Sequence, residues 1–172
     1  SITKPLSFNR LGNILKSAGA AIGKQTVINY VGYMMESYML FTLQNYAAKL
    51  IQKETSPKYY FMDTGLLGLM LMDCSSAQLE NLVAIELIRR FGREKVFYFE
   101  NNVEIDFYIP EEKLAIQVLD QIETREREIG AFLKLRNFIE GARCILITNS
   151  EEAELDCDGI HVSVVPAWKW LL

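Results

Sequence analysis

The sequence predicts an α/β (α+β) protein in which a small helical N-terminal domain is followed by a mixed-sheet α/β domain. Apolar residues recur at helical spacing in the first 40 residues. Short β-branched and aromatic runs between residues 97 and 119 are separated by turn residues. Helix-like and strand-like segments then alternate to the end of the chain, as mixed-sheet folds require. We therefore predict two domains, residues 1–72 and 73–172.

Two helices and a hairpin are predicted in the N-terminal domain. The first helix begins after the N-cap Ser7 and ends at Gly19. The second helix starts at Lys24, and its predicted inward face is Val27, Ile28, Val31, Met34, Met35 and Tyr38. Residues 39–46 and 59–63 are predicted strands on either side of a polar turn. Helix, turn, helix and hairpin together predict a winged helix.

Charge is distributed unevenly along the chain. Residues 1–60 hold seven Lys/Arg and two Asp/Glu, a net +5, whereas residues 61–172 hold eleven and twenty, a net −9. The basic part is therefore the part expected to approach phosphates. The predicted nucleic-acid contact is the outer face of the second helix, formed by Lys24, Gln25, Asn29 and Tyr33. Because this face is only mildly basic, a protein-docking or spacer role is the alternative.

Other function classes are excluded or limited by simple patterns. No apolar run is long enough to span a membrane. The three widely spaced cysteines, with no C-x-x-C, favour a reducing cytoplasm over a disulfide framework or a zinc site. Residues 18–25 resemble a phosphate-binding loop, but Ala18 replaces its first glycine and Gln25 its hydroxyl residue. We therefore predict no ATP binding by these residues.

The second domain is predicted to contain a helix, a three-stranded meander, a helix, two strands and a terminal helix. The predicted ranges are 79–92, 95–100, 103–109, 113–119, 124–141, 142–149, 161–166 and 167–172. Residues 151–158 are predicted as an acidic loop. Arg127 and Glu128 are predicted to form a local ion pair on a solvated helix face.

Two polar residues interrupt the apolar strands of the meander. Asp106 lies on its second strand and Gln117 on its third, which places them side by side if the strands are adjacent. Carboxylate and carbonyl oxygens of this kind hold the Mg²⁺ ions that assist phosphodiester cleavage. The alternative is that Asp106 and Gln117 only bond each other or nearby backbone, since burial without partners would cost roughly 1–3 kcal/mol each.

This order of elements is similar to the PD-(D/E)XK, or restriction-endonuclease-like, family. The positions that match its acid on the first helix, its Asp and its (D/E/Q) are Glu80, Asp106 and Gln117. The resemblance implies a metal and catalytic site at these three residues, with a lysine two positions after Gln117. Leu119 stands there instead, so we interpret the site as degenerate and noncatalytic. An active Mg²⁺-dependent nuclease that uses a displaced cation, for example Arg125 or Arg127, stays open.

Almost the whole chain, from about residue 7 to residue 150, resembles the C-terminal region of prokaryotic AAA-type ATPases that carry a domain of unknown function (number 4143). The segments that carry this resemblance are 26–30, 58–66, 79–81, 104–107 and 116–118, followed by 125–126. It implies an N-terminal ATPase domain that binds ATP outside this chain, ring-like homo-oligomers, and a winged-helix connector. We expect a noncatalytic module that binds nucleic acid or a protein, with a pure oligomerisation module as a further alternative.

Overall fold

The computed structural model describes residues 4, 7–20, 22–48, 56–66, 75–120 and 125–172. Its helices are α1 (Phe8–Ser17), α2 (Lys24–Glu36), α3 (Ser75–Phe91), α4 (Arg125–Leu135) and α5 (Ala167–Trp170). Its strands are β1 (Leu40–Asn45), β2 (Lys58–Phe61), β3 (Phe97–Glu100), β4 (Glu104–Ile109), β5 (Leu114–Leu119), β6 (Arg143–Thr148), β7 (Ala153–Cys157) and β8 (Ile160–Pro166). Short 3-10 turns at Arg93–Lys95 and Pro110–Glu112 connect neighbouring elements.

All eight strands belong to one mixed sheet in the order β2-β1-β3-β4-β5-β6-β8-β7. The β3-β4-β5 meander is antiparallel, whereas β5, β6 and β8 run parallel to one another. The edge strands β2 and β7 are antiparallel to their neighbours. This mixed sheet with helices confirms the predicted α/β (α+β) fold class.

The core is divided between the two faces of the sheet. On one face, α3 packs against alternate residues of the central strands in a cluster that includes Leu79, Val83, Leu87, Phe107, Ile109 and Ile116. On the other face, α4 packs in a cluster that includes Phe132, Leu135, Ala115, Leu119 and Leu146. Since neighbouring strand residues point to opposite faces, each face receives its own set of apolar side chains.

The N-terminal helices follow the predicted capping. The Ser7 hydroxyl accepts a hydrogen bond from the Arg10 amide at 3.3 Å, and Gly19 has the positive φ of 86° expected after a helix end. One assignment on α2 was wrong. Tyr38 lies beyond the helix with φ 57° and is 80% exposed, because the chain turns there to enter β1.

The predicted wing is a hairpin of β1 and β2, with Phe41 opposite Tyr60. This hairpin is part of the same sheet as the second predicted domain. β1 runs parallel to β3, with Gln44 opposite Phe97 and Asn45 opposite Tyr98. The predicted boundary between residues 72 and 73 lies outside the described residues, so the division into two domains stays a prediction.

The acidic segment 151–158 was predicted as a loop, and this was wrong. Its residues 153–157 form the edge strand β7, in which exposed Glu154 and Asp156 alternate with half-buried apolar residues. The acidic side chains occupy the outward positions, so the segment has the two-residue alternation of a half-exposed strand despite its acidic composition. No helix in the described part of the chain is long and apolar enough to cross a membrane.

The end of α3 is tied to the C-terminal helix through an ion-pair network. The Glu86 carboxylate accepts hydrogen bonds from Arg89 and Arg90 at 2.5–2.7 Å. Arg90 also donates to the Trp170 carbonyl at 2.7 Å and lies 4.5 Å from the Trp170 ring centroid. Hydrogen bonds from Arg89 outweigh partial burial and lower the pKa of Glu86 to about 2.

We predict that Glu86→Gln lowers the free energy of unfolding by about 1 kcal/mol at pH 7. Because the folded-state pKa of Glu86 lies below its ordinary value, its contribution exists above pH 4.5 and disappears as the pH falls toward 2. Urea denaturation at pH 7 and pH 3 measures the difference. Exposed Glu140→Gln is the control, and an equal effect of both substitutions at pH 7 would refute the prediction.

Candidate functional site

Asp106 lies at an irregularity in strand β4. Phe97 pairs with Tyr108, but Phe99 pairs with Ile105, so β4 has one extra residue in this interval. Such a bulge redirects side chains. Ile105 packs on the α4 side of the sheet and Phe107 on the α3 side. The Asp106 carboxylate also reaches the α3 side, where one oxygen lies 3.4 Å from the Lys58 ammonium.

The side chains of Asp106 and Gln117 each bond backbone groups of the neighbouring strand. The Asp106 amide donates to Gln117 Oε1 at 2.8 Å, and the Val118 amide donates to Asp106 Oδ2 at 3.0 Å. Gln117 Nε2 donates to the Glu104 carbonyl at 2.9 Å and to Glu128 Oε2 at 2.7 Å. The Gln117 amide thus holds β4 to β5 as a peptide group would. The predicted adjacency of Asp106 and Gln117 is confirmed, and their polar atoms have structural partners.

Lys58 on β2 is the centre of a buried cluster of three carboxylates. Its Nζ lies 3.1 Å from Glu104, 3.4 Å from Asp106 and 3.5 Å from Glu80. The Lys58 side chain is only 1% exposed, whereas that of Glu104 is 45% exposed. The Lys58 ammonium is therefore shielded from water, and Glu104 is the most exposed of the three carboxylates that surround it.

Electrostatics keep Lys58 charged although it is buried. Burial by itself lowers the pKa of a lysine. Here the negative charges of Asp106, Glu80 and Glu104 outweigh burial and raise the pKa of Lys58 above its ordinary value. Burial, together with the charge of Glu80, also raises the pKa of Tyr60, whose hydroxyl donates to Glu80 Oε1 at 2.9 Å. Lys58 is therefore a fixed cation and not a proton acceptor.

The cluster joins two of the sequence segments on which the ATPase resemblance depends, residues 58–66 and 79–81. Glu80 contacts Lys58 and Tyr60. Next to it, the Asn81 amide accepts a hydrogen bond from the Phe61 N–H at 2.8 Å and donates to the Phe61 carbonyl at 3.0 Å. Two buried side chains of α3, the Glu80 carboxylate and the Asn81 carboxamide, therefore attach this helix to edge strand β2.

Glu128 is buried, which corrects the prediction of a solvated helix face for the Arg127–Glu128 pair. The pair itself is present, with Arg127 Nη2 2.6 Å from Glu128 Oε1, but only Arg127 is exposed. Burial raises the pKa of Glu128, and the hydrogen bond from Arg127 opposes the increase. Arg125 lies 3.6 Å from Glu151. In the described contacts both arginines pair with acids other than Asp106.

The predicted metal ligands Glu80 and Gln117 lie on opposite faces of the sheet, and Leu119 lies on the Gln117 side. Leu119 is buried in the apolar cluster on the α4 side. Gln117 also faces that side, through Glu128, whereas Glu80 belongs to α3 on the opposite face. Among the described residues, no group of three His, Cys, Asp or Glu side chains is placed to hold a metal ion. The oxygens around Lys58 are spaced for an ammonium, because Mg²⁺ requires contacts of about 2.1 Å.

The predicted nucleic-acid residues do not share one face of α2. Gln25, Asn29 and Tyr33 follow at intervals of four, and the Gln25 amide donates to Asn29 Oδ1 at 3.0 Å. Lys24 precedes Tyr33 by nine residues, about two and a half turns, and so points the opposite way. Tyr30 and Tyr33 are 57% and 61% exposed. This face is aromatic and uncharged near its middle.

Sequence reasoning missed Lys58 and Glu104 as site residues. Lys58 was assigned to a polar turn, and Glu104 was regarded as the start of a strand. A detectable signal was the position of Lys58 directly before the apolar run 59–61, since a lysine inside a buried strand requires acidic partners. The sequence does not reveal which acidic residues are the partners of Lys58, because these contacts join residues that lie 22 to 48 positions apart.

Comparison with known proteins shows similarity to uncharacterized sequences. Residues 1–77 match the family described as a domain of unknown function (DUF8612). Over 179 residues the chain is 30% identical to an uncharacterized protein of Methanocaldococcus jannaschii, a match that covers 97% of this chain and 41% of that relative. The chain therefore spans about two fifths of the relative's length. No solved structure matches it. The DUF8612 match includes Lys58 but ends before Glu80.

We predict that Gln117→Glu, which introduces the acid that the nuclease resemblance would lead one to expect at this position, destabilises the fold by roughly 2–3 kcal/mol at pH 7. The substitution replaces the Nε2 donor by an oxygen that faces the Glu104 carbonyl and Glu128. Chemical denaturation of Gln117→Glu and of the exposed control Gln44→Glu measures the effect. A change below 0.5 kcal/mol, on the order of a surface substitution, would contradict this account of Gln117.

Proposed function

We propose that this chain is a noncatalytic partner-binding module of a larger AAA-type ATPase, derived from a PD-(D/E)XK nuclease-like domain. The observation that carries the proposal is the buried Lys58 ammonium among Glu80, Glu104 and Asp106, at the place where a nuclease of this kind would hold Mg²⁺. The bonds of Gln117 to β4 backbone support it. These polar groups hold strands and helices together instead of presenting open coordination positions.

Partner binding is assigned to the exposed face of α2. Tyr30 and Tyr33 are three residues apart and therefore adjacent on the helix surface. Tyrosine is enriched at protein interfaces because it supplies apolar area and a hydroxyl at low entropic cost. A nucleic acid instead requires several phosphate contacts from Lys or Arg, and Lys24 points away from Tyr33. We therefore propose a protein partner, with a neighbouring subunit as the form expected in a ring.

The link to an ATPase is part of the same proposal. It is supported by the sequence segments 58–66, 79–81 and 104–107, and by the long relative, of which the match covers only 41%. ATP would be bound in the ATPase domain of the larger protein, and this module would need no cofactor of its own. Free Cys144 and Cys157 agree with a reducing cytoplasm.

A second candidate function is a Mg²⁺-dependent nuclease in which Lys58 replaces the lysine missing at position 119. The observation in its favour is the 3.4 Å distance between the Lys58 ammonium and Asp106. A lysine in this role offsets charge that develops on the phosphate. Against it, Lys58 is sealed from solvent and already shared by three carboxylates, which leaves its ammonium no path to a substrate.

A fluorescence-anisotropy time course with end-labelled duplex and single-stranded DNA, at low salt with Mg²⁺, tests the proposal. We expect a flat trace on both substrates. A stable rise in anisotropy that becomes smaller as the salt concentration increases would show that the partner is a nucleic acid and not a protein. A rise that decays with time, and that Asp106→Asn abolishes, would establish the nuclease instead.

The protein-partner assignment predicts a separate result in solution. If neighbouring copies meet through α2, the double substitution Tyr30→Ser/Tyr33→Ser shifts the concentration-dependent sedimentation coefficient toward the monomer value. Tyr38→Ser, on an exposed tyrosine outside the helix, is the matched control. An unchanged sedimentation profile in the double variant would remove this face as a contact between subunits.

A further inference from the structure

The carboxylates around Lys58 form a cation site whose occupant is part of the chain. Three oxygens, one each from Glu80, Glu104 and Asp106, surround one point at 3.1–3.5 Å. These carboxylates come from α3 and β4, whereas the ammonium comes from β2. Helix α3 and strand β4 therefore supply the carboxylates, and strand β2 supplies the cation that lies between them.

The distances distinguish an ammonium from a metal ion. Hydrogen bonds and ion pairs of a lysine span about 2.7–3.5 Å, whereas Mg²⁺ and Ca²⁺ need oxygen contacts of about 2.0–2.6 Å. Each carboxylate would therefore have to move inward by about 1 Å to bind a divalent ion. The Mg²⁺ that the nuclease resemblance implies does not fit the site while Lys58 occupies it.

The surroundings of the site hold the carboxylates in place. The Tyr60 hydroxyl donates to Glu80 Oε1, and the Val118 amide donates to Asp106 Oδ2. One oxygen of Asp106 and the more exposed Glu104 remain directed at Lys58. Loss of the ammonium alone would remove the cation that three adjacent carboxylates share, and repulsion between like charges that are partly withdrawn from water is unfavourable.

We propose that Lys58 is the tethered occupant of a cation site formed by Glu80, Glu104 and Asp106, and that its ammonium keeps divalent cations out of this site. The proposal extends the noncatalytic function proposed above, because it gives the physical reason why the module needs no metal. It also assigns Glu104, which the nuclease resemblance does not include, as a ligand of the site. A divalent ion and Lys58 are mutually exclusive occupants.

Manganese binding by the whole chain tests the proposal, with Mn²⁺ itself as the probe. Wild type is expected to show no saturable Mn²⁺ binding by electron paramagnetic resonance or calorimetry. Lys58→Ala, which removes the ammonium and leaves a space, is expected to bind one Mn²⁺ per chain at least tenfold more tightly than wild type. Glu104→Gln in the Lys58→Ala background is expected to weaken that binding tenfold or more. Glu140→Gln in the same background, at an exposed acid outside α3, β2 and β4, serves as the control and is expected to leave the Mn²⁺ affinity unchanged.

Each outcome of this experiment decides the proposal. A folded Lys58→Ala that binds no Mn²⁺ would overturn it, as would wild type that binds Mn²⁺ as tightly as the variant. If Lys58→Ala is unfolded alone, recovery of its folded circular-dichroism spectrum on addition of Mn²⁺ supports the proposal. Failure of Lys58→Ala to fold at saturating Mn²⁺ counts against the proposal, because a divalent charge should restore the balance.

The result is separable from the proposed function. Mn²⁺ binding by wild type without DNA cleavage would overturn the tethered-cation site and leave the noncatalytic module intact. Mg²⁺-dependent DNA cleavage by wild type would overturn the noncatalytic function, whatever the Mn²⁺ titration of Lys58→Ala shows.

Discussion

The burial of one lysine ammonium constrains most of the structure around it. Lys58 is stable inside the sheet only because α3 delivers Glu80 and the bulged strand β4 delivers Asp106 and Glu104 to the same point. A buried charge that loses its partners costs several kcal/mol, so these elements must form together. The position of β2, the register of β4 and the placement of α3 are therefore coupled through a single side chain.

Side-chain amides complete the sheet where main-chain pairing stops. Gln117 bonds the backbone of β4, and Asn81 bonds both backbone groups of Phe61. Asn45 does the same for Glu100, with hydrogen bonds of 2.9 Å and 3.0 Å to its carbonyl and amide. A carboxamide carries one donor and one acceptor in the arrangement of a peptide group. All three residues therefore act as single-residue extensions of a strand.

Local sequence patterns predicted most of the helices and strands, but they did not predict the contacts between residues far apart in the chain. The N-cap Ser7 and the helix stop at Gly19 follow from backbone chemistry within a few residues, and both are confirmed. The adjacency of Asp106 and Gln117 was predictable because strand alternation and a short turn fix the register. The bulge at Asp106 and the buried position of Lys58 could not be predicted, because each depends on contacts with residues from distant segments of the chain. Strand β7 was missed although Ala153–Cys157 alternates between apolar and acidic residues, because the acidic composition of residues 151–158 was given more weight than this alternation.

The two edges of the sheet limit how copies of this protein can associate. At edge strand β2, Asn81 occupies the backbone groups of Phe61 that another strand would need. At edge strand β7, Glu154 and Asp156 project outward, and a second β7 placed alongside would bring like charges together. Growth of the sheet into a continuous ribbon is thus hindered at both ends. Edge-to-edge pairing of two copies through β2 or β7 is therefore disfavoured.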